Sequence, residues 1–309
     1  MSERIKTVSL DQAGPEPRSV AIGTFDGVHL GHRDVIEGAD TVLTFEPHPL
    51  EVLAPDSAPQ LLMPFEVKRD VLEGIGVKEL IVIPFDREFT KTTAERFIEE
   101  ILVERLGVRR VSVGENFRFG TGAAGTPEML RQSTDFETRV VPLVEVGGET
   151  VSSTRIRELV AAGEMEAARA CLGSPFMIQG EVVTGDGRGR ELGFPTANLI
   201  PDPKLAAPGH GVYAAFADGR PAAVNVGTRP TFDSDRGVLI EAHLLDFDQD
   251  LYGRDLRIAF LERLRGEKAY REVGELVDQM ALDVAEAGRV CASFLRPTDA
   301  PGAVGRDSE

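Results

Sequence analysis

Ser19-Val20-Ala21-Ile22-Gly23-Thr24-Phe25-Asp26-Gly27-Val28-His29-Leu30-Gly31-His32 opens with four residues that read as a buried strand. It runs into Arg33-Asp34-Val35-Ile36-Glu37, which reads as the start of a helix. The glycines and both histidines therefore fall at a strand-to-helix turn, where parallel α/β folds bind ligands. Glycine lets the backbone come close to a bound group, and amides at a helix start face a phosphate. His29 and His32 are three apart and share a face once the turn is helical. This pattern points to a nucleotide-phosphate site with two imidazoles against a transferring phosphoryl group. A polar turn with two surface histidines fits the same residues, and the stretch is neither a Walker loop nor Gly-x-Gly-x-x-Gly.

Working outward, strand and helix alternate. Residues 7–10 read as a short edge strand, 41–45 as a second strand, and 79–84 and 111–113 as further strands. Residues 139–144 read as the fifth. Residues 65–72, 155–161 and 164–172 read as helices. The clearest helix spans 93–106, with Ala94, Phe97, Ile101, Leu102 and Leu106 as its apolar stripe and Gly107 as its stop. The alternation predicts a mostly parallel sheet, covered on both faces, through about residue 172. After Gly173-Ser174-Pro175 the period changes. Residues 176–183, 212–217, 222–226, 238–245 and 256–260 read as strands separated by turns, which predicts a small antiparallel β barrel. A last helix is expected over 269–287, with Val273, Leu276, Val277, Met280 and Val284 on one stripe. The expected division is an α/β, Rossmann-like domain over 1–173, a barrel domain over 174–296 and a disordered tail over 297–309.

The 309 residues, 42% of them apolar, suffice for two domains. The net charge of −17 disfavours nonspecific binding to nucleic acid or to an anionic membrane. A small anionic ligand remains compatible, because a local arginine cluster overrides the global field. Cys171 and Cys291 lie far apart and give neither a disulfide framework nor a metal cluster. The N-terminus carries no apolar signal segment, and no run reaches the roughly 20 apolar residues of a bilayer span, so a cytoplasmic location is expected.

Three segments belong with the opening stretch. They are Phe45-Glu46-Pro47-His48-Pro49, Gly114-Glu115-Asn116-Phe117-Arg118-Phe119-Gly120 and Ser152-Ser153-Thr154-Arg155-Ile156-Arg157. The first two follow strands and the third starts a helix. Loops at the carboxyl ends of parallel strands open on one side, so all four can meet in one cleft. Hydroxyls, free amides and the guanidiniums of Arg155 and Arg157 suit a triphosphate, although an ordinary helix cap reads the same way. Phe117-Arg118-Phe119 suits the border of a planar ligand, or a loop plug.

With these segments, the opening stretch resembles the nucleotidyltransferase superfamily that carries an HxGH motif. It is similar to the adenylyltransferase module of bacterial bifunctional riboflavin kinase/FAD synthetases. The resemblance implies transfer of AMP from ATP to FMN with release of pyrophosphate. It implies that His29 and His32 contact the ATP phosphates in the transition state. Gly23, Phe25, Asp26, Gly27, Ser153, Thr154, Arg155 and Arg157 would bind the nucleotide phosphates. Asn116, Phe117, Arg118 and Phe119 would lie on the flavin side. No protein nucleophile is needed, because the FMN phosphate itself attacks the α-phosphorus.

The second half carries its own chemistry. Thr184-Gly185-Asp186-Gly187-Arg188-Gly189-Arg190 is a glycine-rich turn after a strand that suits phosphates or a hairpin. In Leu192-Gly193-Phe194-Pro195-Thr196-Ala197-Asn198-Leu199, Thr196 and Asn198 point to one side of an extended chain and offer hard oxygen ligands compatible with Mg²⁺. A capped turn reads equally well. Glu241 and His243 share one face of an otherwise apolar strand, where a carboxylate inside the barrel is costly unless paired or used; a strand face open to solvent reads equally well.

These segments, with Asn225-Val226-Gly227-Thr228-Arg229-Pro230-Thr231-Phe232 and Leu251-Tyr252-Gly253, resemble the riboflavin kinase fingerprint. The resemblance implies that Gly185, Gly187 and Gly189 line the ATP phosphates and that Thr196 and Asn198 bind Mg²⁺-ATP. Glu241 would be the base toward the ribityl 5′-hydroxyl. The implied substrates and products are riboflavin, FMN, FAD and ATP, with no nucleic acid or membrane partner.

Two departures stand out. Only eight residues separate His32 from Thr41, fewer than the family usually has, and Thr126 stands where the family often has Asp. The first leaves room for an N-terminal half that is impaired or uses another nucleotidyl acceptor. A flavin- or nucleotide-binding regulator without turnover is the reading of another class.

Overall fold

A computed structural model describes residues 4–185, 187–228 and 237–295, apart from the Arg188 side chain. Residues 229–232 of the Asn225 segment, Asp186 and the tail expected over 297–309 lie outside the described residues. The chain forms two compact units. The first comprises Met1–Glu158, Ala170–Ser174 and Lys204–Ala206; the second comprises Leu159–Arg169, Pro175–Pro203 and Ala207–Glu309.

The sheet of the first unit contains β1 (Lys6–Ser9), β2 (Arg18–Ile22), β3 (Thr41–Glu46), β4 (Glu79–Pro84), β5 (Val108–Gly114) and β6 (Glu137–Val141). Their order is β1-β4-β3-β2-β5-β6, and every neighbouring pair is parallel. The chain moves outward from β2 through β3 to β4, then returns to lay β5 on the other side of β2. The loops after β2 and β5 therefore flank the switch point, where open α/β sheets bind ligands. Val42, Leu43, Leu80, Ile81 and Ile83 are buried, as fits strands covered on both faces. β6 starts and ends before the expected 139–144, because Pro142 has no amide with which to extend the ladder. An unexpected hairpin follows, β7 (Glu145–Val146) with β8 (Glu149–Thr150). It turns through Gly147 and Gly148, both at positive φ as a tight hairpin requires.

The helices that precede the barrel strands are α1 (Leu30–Ile36), α2 (Pro49–Leu53), α3 (Phe65–Gly74), α4 (Ala94–Arg96), α5 (Pro127–Gln132), α6 (Ser153–Ala162) and α7 (Met165–Leu172). The helix expected over 93–106 is only briefly α-helical. From Phe97 to Arg105 it is a π-helix, and Leu106 N donates to Ile101 O at 3.0 Å across five residues. Buried Phe97, Ile101 and Leu106 recur every four to five residues, a spacing wider than an α-helix turn. Gly107, at φ 64°, ends it. Thr126 occupies the N-cap of α5 but makes no side-chain capping bond. Ser152, rather than Ser153 or Thr154, caps α6, its Oγ accepting from Arg155 N at 3.2 Å.

In the second unit, β9 (Phe176–Val183), β10 (Ala197–Leu199), β11 (Gly211–Ala217), β12 (Arg220–Thr228), β13 (Val238–Leu244) and β14 (Asp255–Arg265) form a closed antiparallel barrel. The strand order is β10-β13-β12-β11-β14-β9. β10 and the four-residue α8 (Arg188–Glu191) are too short for periodicity to reveal. The last helix, α9 (Val273–Leu295), begins and ends later than expected. Val273 is exposed, and the buried stripe instead continues through Asp283, Ala287, Val290 and Cys291. Ala287, Val290 and Cys291 pack on Ala214, Ala223 and Leu261 of the barrel. Asp283 is buried because Arg265 grips it with Nε and Nη2, at 3.0 and 2.7 Å.

Candidate active sites

The four segments of the first half do converge. A cleft of about 870 Å³ at the carboxyl ends of the strands is lined by Gly23, Thr24, Phe25, His29 and His32 from the turn after β2. His48, the loop 116–120, and Ser153, Thr154 and Arg157 of α6 complete its walls. Alternating β and α elements produce this directly, since each segment follows a strand or opens a helix.

His29 is the N-cap of α1. Its Nδ1 accepts from His32 N at 3.2 Å, so the neutral ring carries its proton on Nε2. The two imidazoles stack at 3.5 Å between centroids, 17° from parallel. Burial pushes the His29 pKa down to about 4 and holds His32 well below the ordinary value. Both rings are therefore held in the neutral form at pH 7, able to donate a hydrogen bond without carrying a resident charge. Buried His32 Nδ1 has no hydrogen-bond partner among the described residues. Phe25 and Val28 hold positive φ, 50° and 40°, although neither is glycine, and both are fully buried. Such backbone strain collects at functional turns.

Three predicted contacts stand behind the cleft instead of on its wall: Asp26, Gly27 and Arg155. Buried Asp26 accepts from Leu62 N at 2.8 Å and from Arg157 Nη2 at 2.5 Å, and its carbonyl accepts from Ser153 Oγ at 2.9 Å. Asp26 thus ties the turn after β2 to α6. Burial raises its pKa even though Arg157 pulls the other way. Gly27, at φ 88°, leaves room for Leu62 Cδ1, which a Cβ would meet at 2.7 Å. Arg155 turns to the β7–β8 hairpin, donating to Val146 O and Glu149 O at 3.0 Å and pairing with the Glu149 carboxylate at 2.7 Å.

Phe119 is a core plug. It is buried, stacks on Phe117 and leans on Phe97. Phe119 still borders the cleft from that packed position, and Asn116, Phe117 and Arg118 line it beside Phe119. Sequence reasoning missed Lys68 beneath the turn. Its one visible signal is position, four residues before Leu72 on the apolar face of α3.

In the barrel, register brings the predicted residues together. Asn198 lies opposite Glu241 across β10 and β13, and Glu241 lies opposite Asn225 across β12 and β13. Directly opposed residues share a face. Asn225 Nδ2 donates to Glu241 Oε2 at 3.1 Å. Ile240, Ala242 and Leu244 fill the barrel while Glu241 and His243 face outward, half-buried. His243 Nδ1 lies 2.8 Å from Pro195 O. A Cβ on Gly185 would strike the Asn198 amide at 2.3 Å, and one on Gly189 would stand 2.4 Å from Phe194 O and 3.3 Å from Thr196 Oγ1. The glycine-rich turn therefore lies directly on Thr196 and Asn198. Gly187 faces open space at φ 73°. Thr196 also borders a cavity of about 300 Å³, shared with Arg190, Phe247 and Tyr252.

Among the described residues no cluster of three or more His, Cys, Asp or Glu is placed to hold a metal. The oxygen set of Thr196, buried Asn198 and nearby Glu241 suits a hard cation that takes its remaining ligands from phosphate and water. No helix among the described residues is long and apolar enough to cross a membrane.

The FAD synthetase family matches residues 11–155, and the riboflavin kinase family matches residues 172–291. Together with the switch-point cleft and the closed barrel, these matches define a class of two-part flavin-nucleotide transferases. The bifunctional riboflavin kinase/FMN adenylyltransferase of Escherichia coli K12 is 38% identical over 293 residues, spanning 89% of this chain and 93% of that protein. That of Bacillus subtilis is 35% identical, spanning 87% of this chain and 91% of that protein. A Streptococcus pneumoniae crystal structure described as a macrolide-efflux protein superposes with a TM-score of 0.82 at 31% identity, covering 92% of this chain and 99% of that one. The chain belongs to the bacterial bifunctional riboflavin kinase/FMN adenylyltransferase family.

Proposed function

We propose that the chain phosphorylates riboflavin to FMN with ATP in the barrel and adenylylates FMN to FAD in the α/β cleft. The assigned domains are 1–173 for the adenylyltransferase and 174–296 for the kinase, in line with the two family matches. The observation that supports the first site best is the His29–His32 stack, held neutral, on the wall of a switch-point cleft.

In adenylyl transfer, an FMN phosphate oxygen attacks the α-phosphorus of ATP and pyrophosphate leaves. His29 Nε2–H, His32, the α6 amides with Ser153 and Thr154, and Arg157 donate to the phosphate oxygens as their charge spreads. Asp26 holds Arg157 in register. Arg155 acts at one remove, fixing the hairpin. Asn116, Phe117 and Arg118 border the flavin. In the kinase, Glu241 takes the proton of the ribityl 5′-hydroxyl as that oxygen attacks the γ-phosphorus, and ADP leaves. Gly185, Gly187 and Gly189 admit the phosphates. Thr196 and Asn198 would hold Mg²⁺, which when bound neutralises phosphate charge. A cytoplasmic location suits ATP and flavin substrates.

The test is product analysis with reciprocal variants. Full-length protein given riboflavin, ATP and Mg²⁺ should form FMN first and FAD after it, as resolved by chromatography. Glu241→Gln should stop FMN formation yet convert supplied FMN to FAD; His29→Ala should do the reverse. Loss of both activities in a folded variant of either kind would overturn the two-site assignment.

A further inference from the structure

We infer that Lys68 is a positioning residue for adenylyl transfer, its buried ammonium anchoring the Thr24 carbonyl behind the phosphate turn and acting on a bound nucleotide triphosphate through that turn. This rests on the reading of the His29–His32 cleft given above. Lys68 is 7% exposed, on the buried side of α3 beside Val67 and Leu72. Its Nζ donates to Thr24 O at 3.2 Å. The nearest carboxylate, Glu46, is 4.0 Å away and itself 40% exposed. Asp26 is already engaged by Arg157 and Leu62 N. An ammonium with three donors thus spends its charge only partly inside the fold, a costly arrangement unless a further anion uses it.

Position argues for that anion. Thr24 lines the cleft, and its carbonyl accepts from Thr44 Oγ1 as well as from Lys68. In a trans peptide the C=O and N–H point opposite ways, so tying Thr24 O back sets the direction of Phe25 N–H. The Lys68 charge is felt at His32, His48 and Asp26, all around the turn. In a protein of net charge −17, a triphosphate needs such a local cation to offset the general field.

Substituting Lys68→Met removes the charge and leaves an apolar side chain of similar length among apolar neighbours, with Glu46 free to turn to solvent. The melting temperature should hold or rise. FAD formation from supplied FMN should fall about tenfold or more in kcat/KM for ATP, since misplacing a turn by an ångström costs that much. ATP binding, measured by calorimetry, should weaken more than AMP binding. Riboflavin phosphorylation in the same chain should stay unchanged. Lys68→Arg should restore most of the loss. Thr44→Val, which removes the other donor to Thr24 O without removing charge, should cost about threefold at most. If Lys68→Met fails to fold, Lys68→Gln carries the same expectation. Adenylylation within twofold of wild type, or equal loss of ATP and AMP binding, would overturn the role of Lys68. His29→Ala retaining FAD formation would instead overturn the underlying reading of the cleft.

Discussion

The two ends of the parallel sheet treat charge in opposite ways. At the amino end, where β2 and β4 begin, Arg18 Nε donates to Glu79 Oε2 at 2.6 Å, and Arg18 Nη1 donates to Gly14 O and Leu106 O at 2.6 and 2.8 Å. Lys6 adds a second cation to Glu79 at 2.7 Å. Burial would raise the Glu79 pKa, but the hydrogen bonds from Arg18 and Lys6 outweigh it and hold the carboxyl below its usual range. At the carboxyl end, burial wins. Asp26 is raised, Lys68 is lowered, and His29 and His32 are held neutral. One end satisfies its charges internally and contributes to folding; the other leaves them partly unsatisfied, which is how a site waits for a charged substrate.

That contrast can be broken at either end. His29→Ala should lower FAD formation by about a thousandfold, the range for a positioned imidazole, with the kinase activity unmoved as the internal control. Arg18→Met should destabilise the first unit by about 3 kcal/mol, because it strands Glu79 and two carbonyls. It should leave kcat for adenylylation unchanged at temperatures where the unit is folded, read by denaturant melts beside product assays. Acid should separate the ends further. The unfolded chain binds a proton at His29 near pH 6.5, whereas the folded chain resists until about 4. Stability present above pH 6.5 is therefore lost as pH falls through that window. His29→Asn keeps an N-cap but does not titrate. It should remove up to about 3 kcal/mol of the loss, measured as the difference between the two stability–pH curves. Asp26→Asn, which loosens Arg157 without emptying the cleft, should cost about tenfold in kcat/KM for ATP. Thr126→Ala should change stability by a few tenths of a kcal/mol at most, since that hydroxyl caps nothing.

The sequence made the open end more legible than the closed one. Gly23 to His32 announces a strand-to-helix turn by its residue types, and parallel topology then requires the other loops to meet it. The change of period at Pro175 likewise marks the barrel. Partnerships between distant side chains carry no such signal. Arg18 finds Glu79 across 61 residues and Asp26 finds Arg157 across 131, and neither spacing has a local pattern. Arg155 and Arg157 look equivalent in sequence. Two residues along α6 is about 200° around the axis, so one turns to the hairpin and the other to the cleft. Lys68 was hidden because a single lysine in an amphipathic helix reads as solvated.

The cap at His29 has a consequence for selectivity. With the Nδ1 lone pair committed to the His32 amide, the ring offers the cleft a hydrogen and no acceptor. Oxyanions are welcome there, whereas an ammonium or amide pointed at the same atom meets N–H against N–H. The fold of one short helix thus writes a polarity filter into the site, and a mimic of the phosphate chain would have to keep an acceptor at that point to be held.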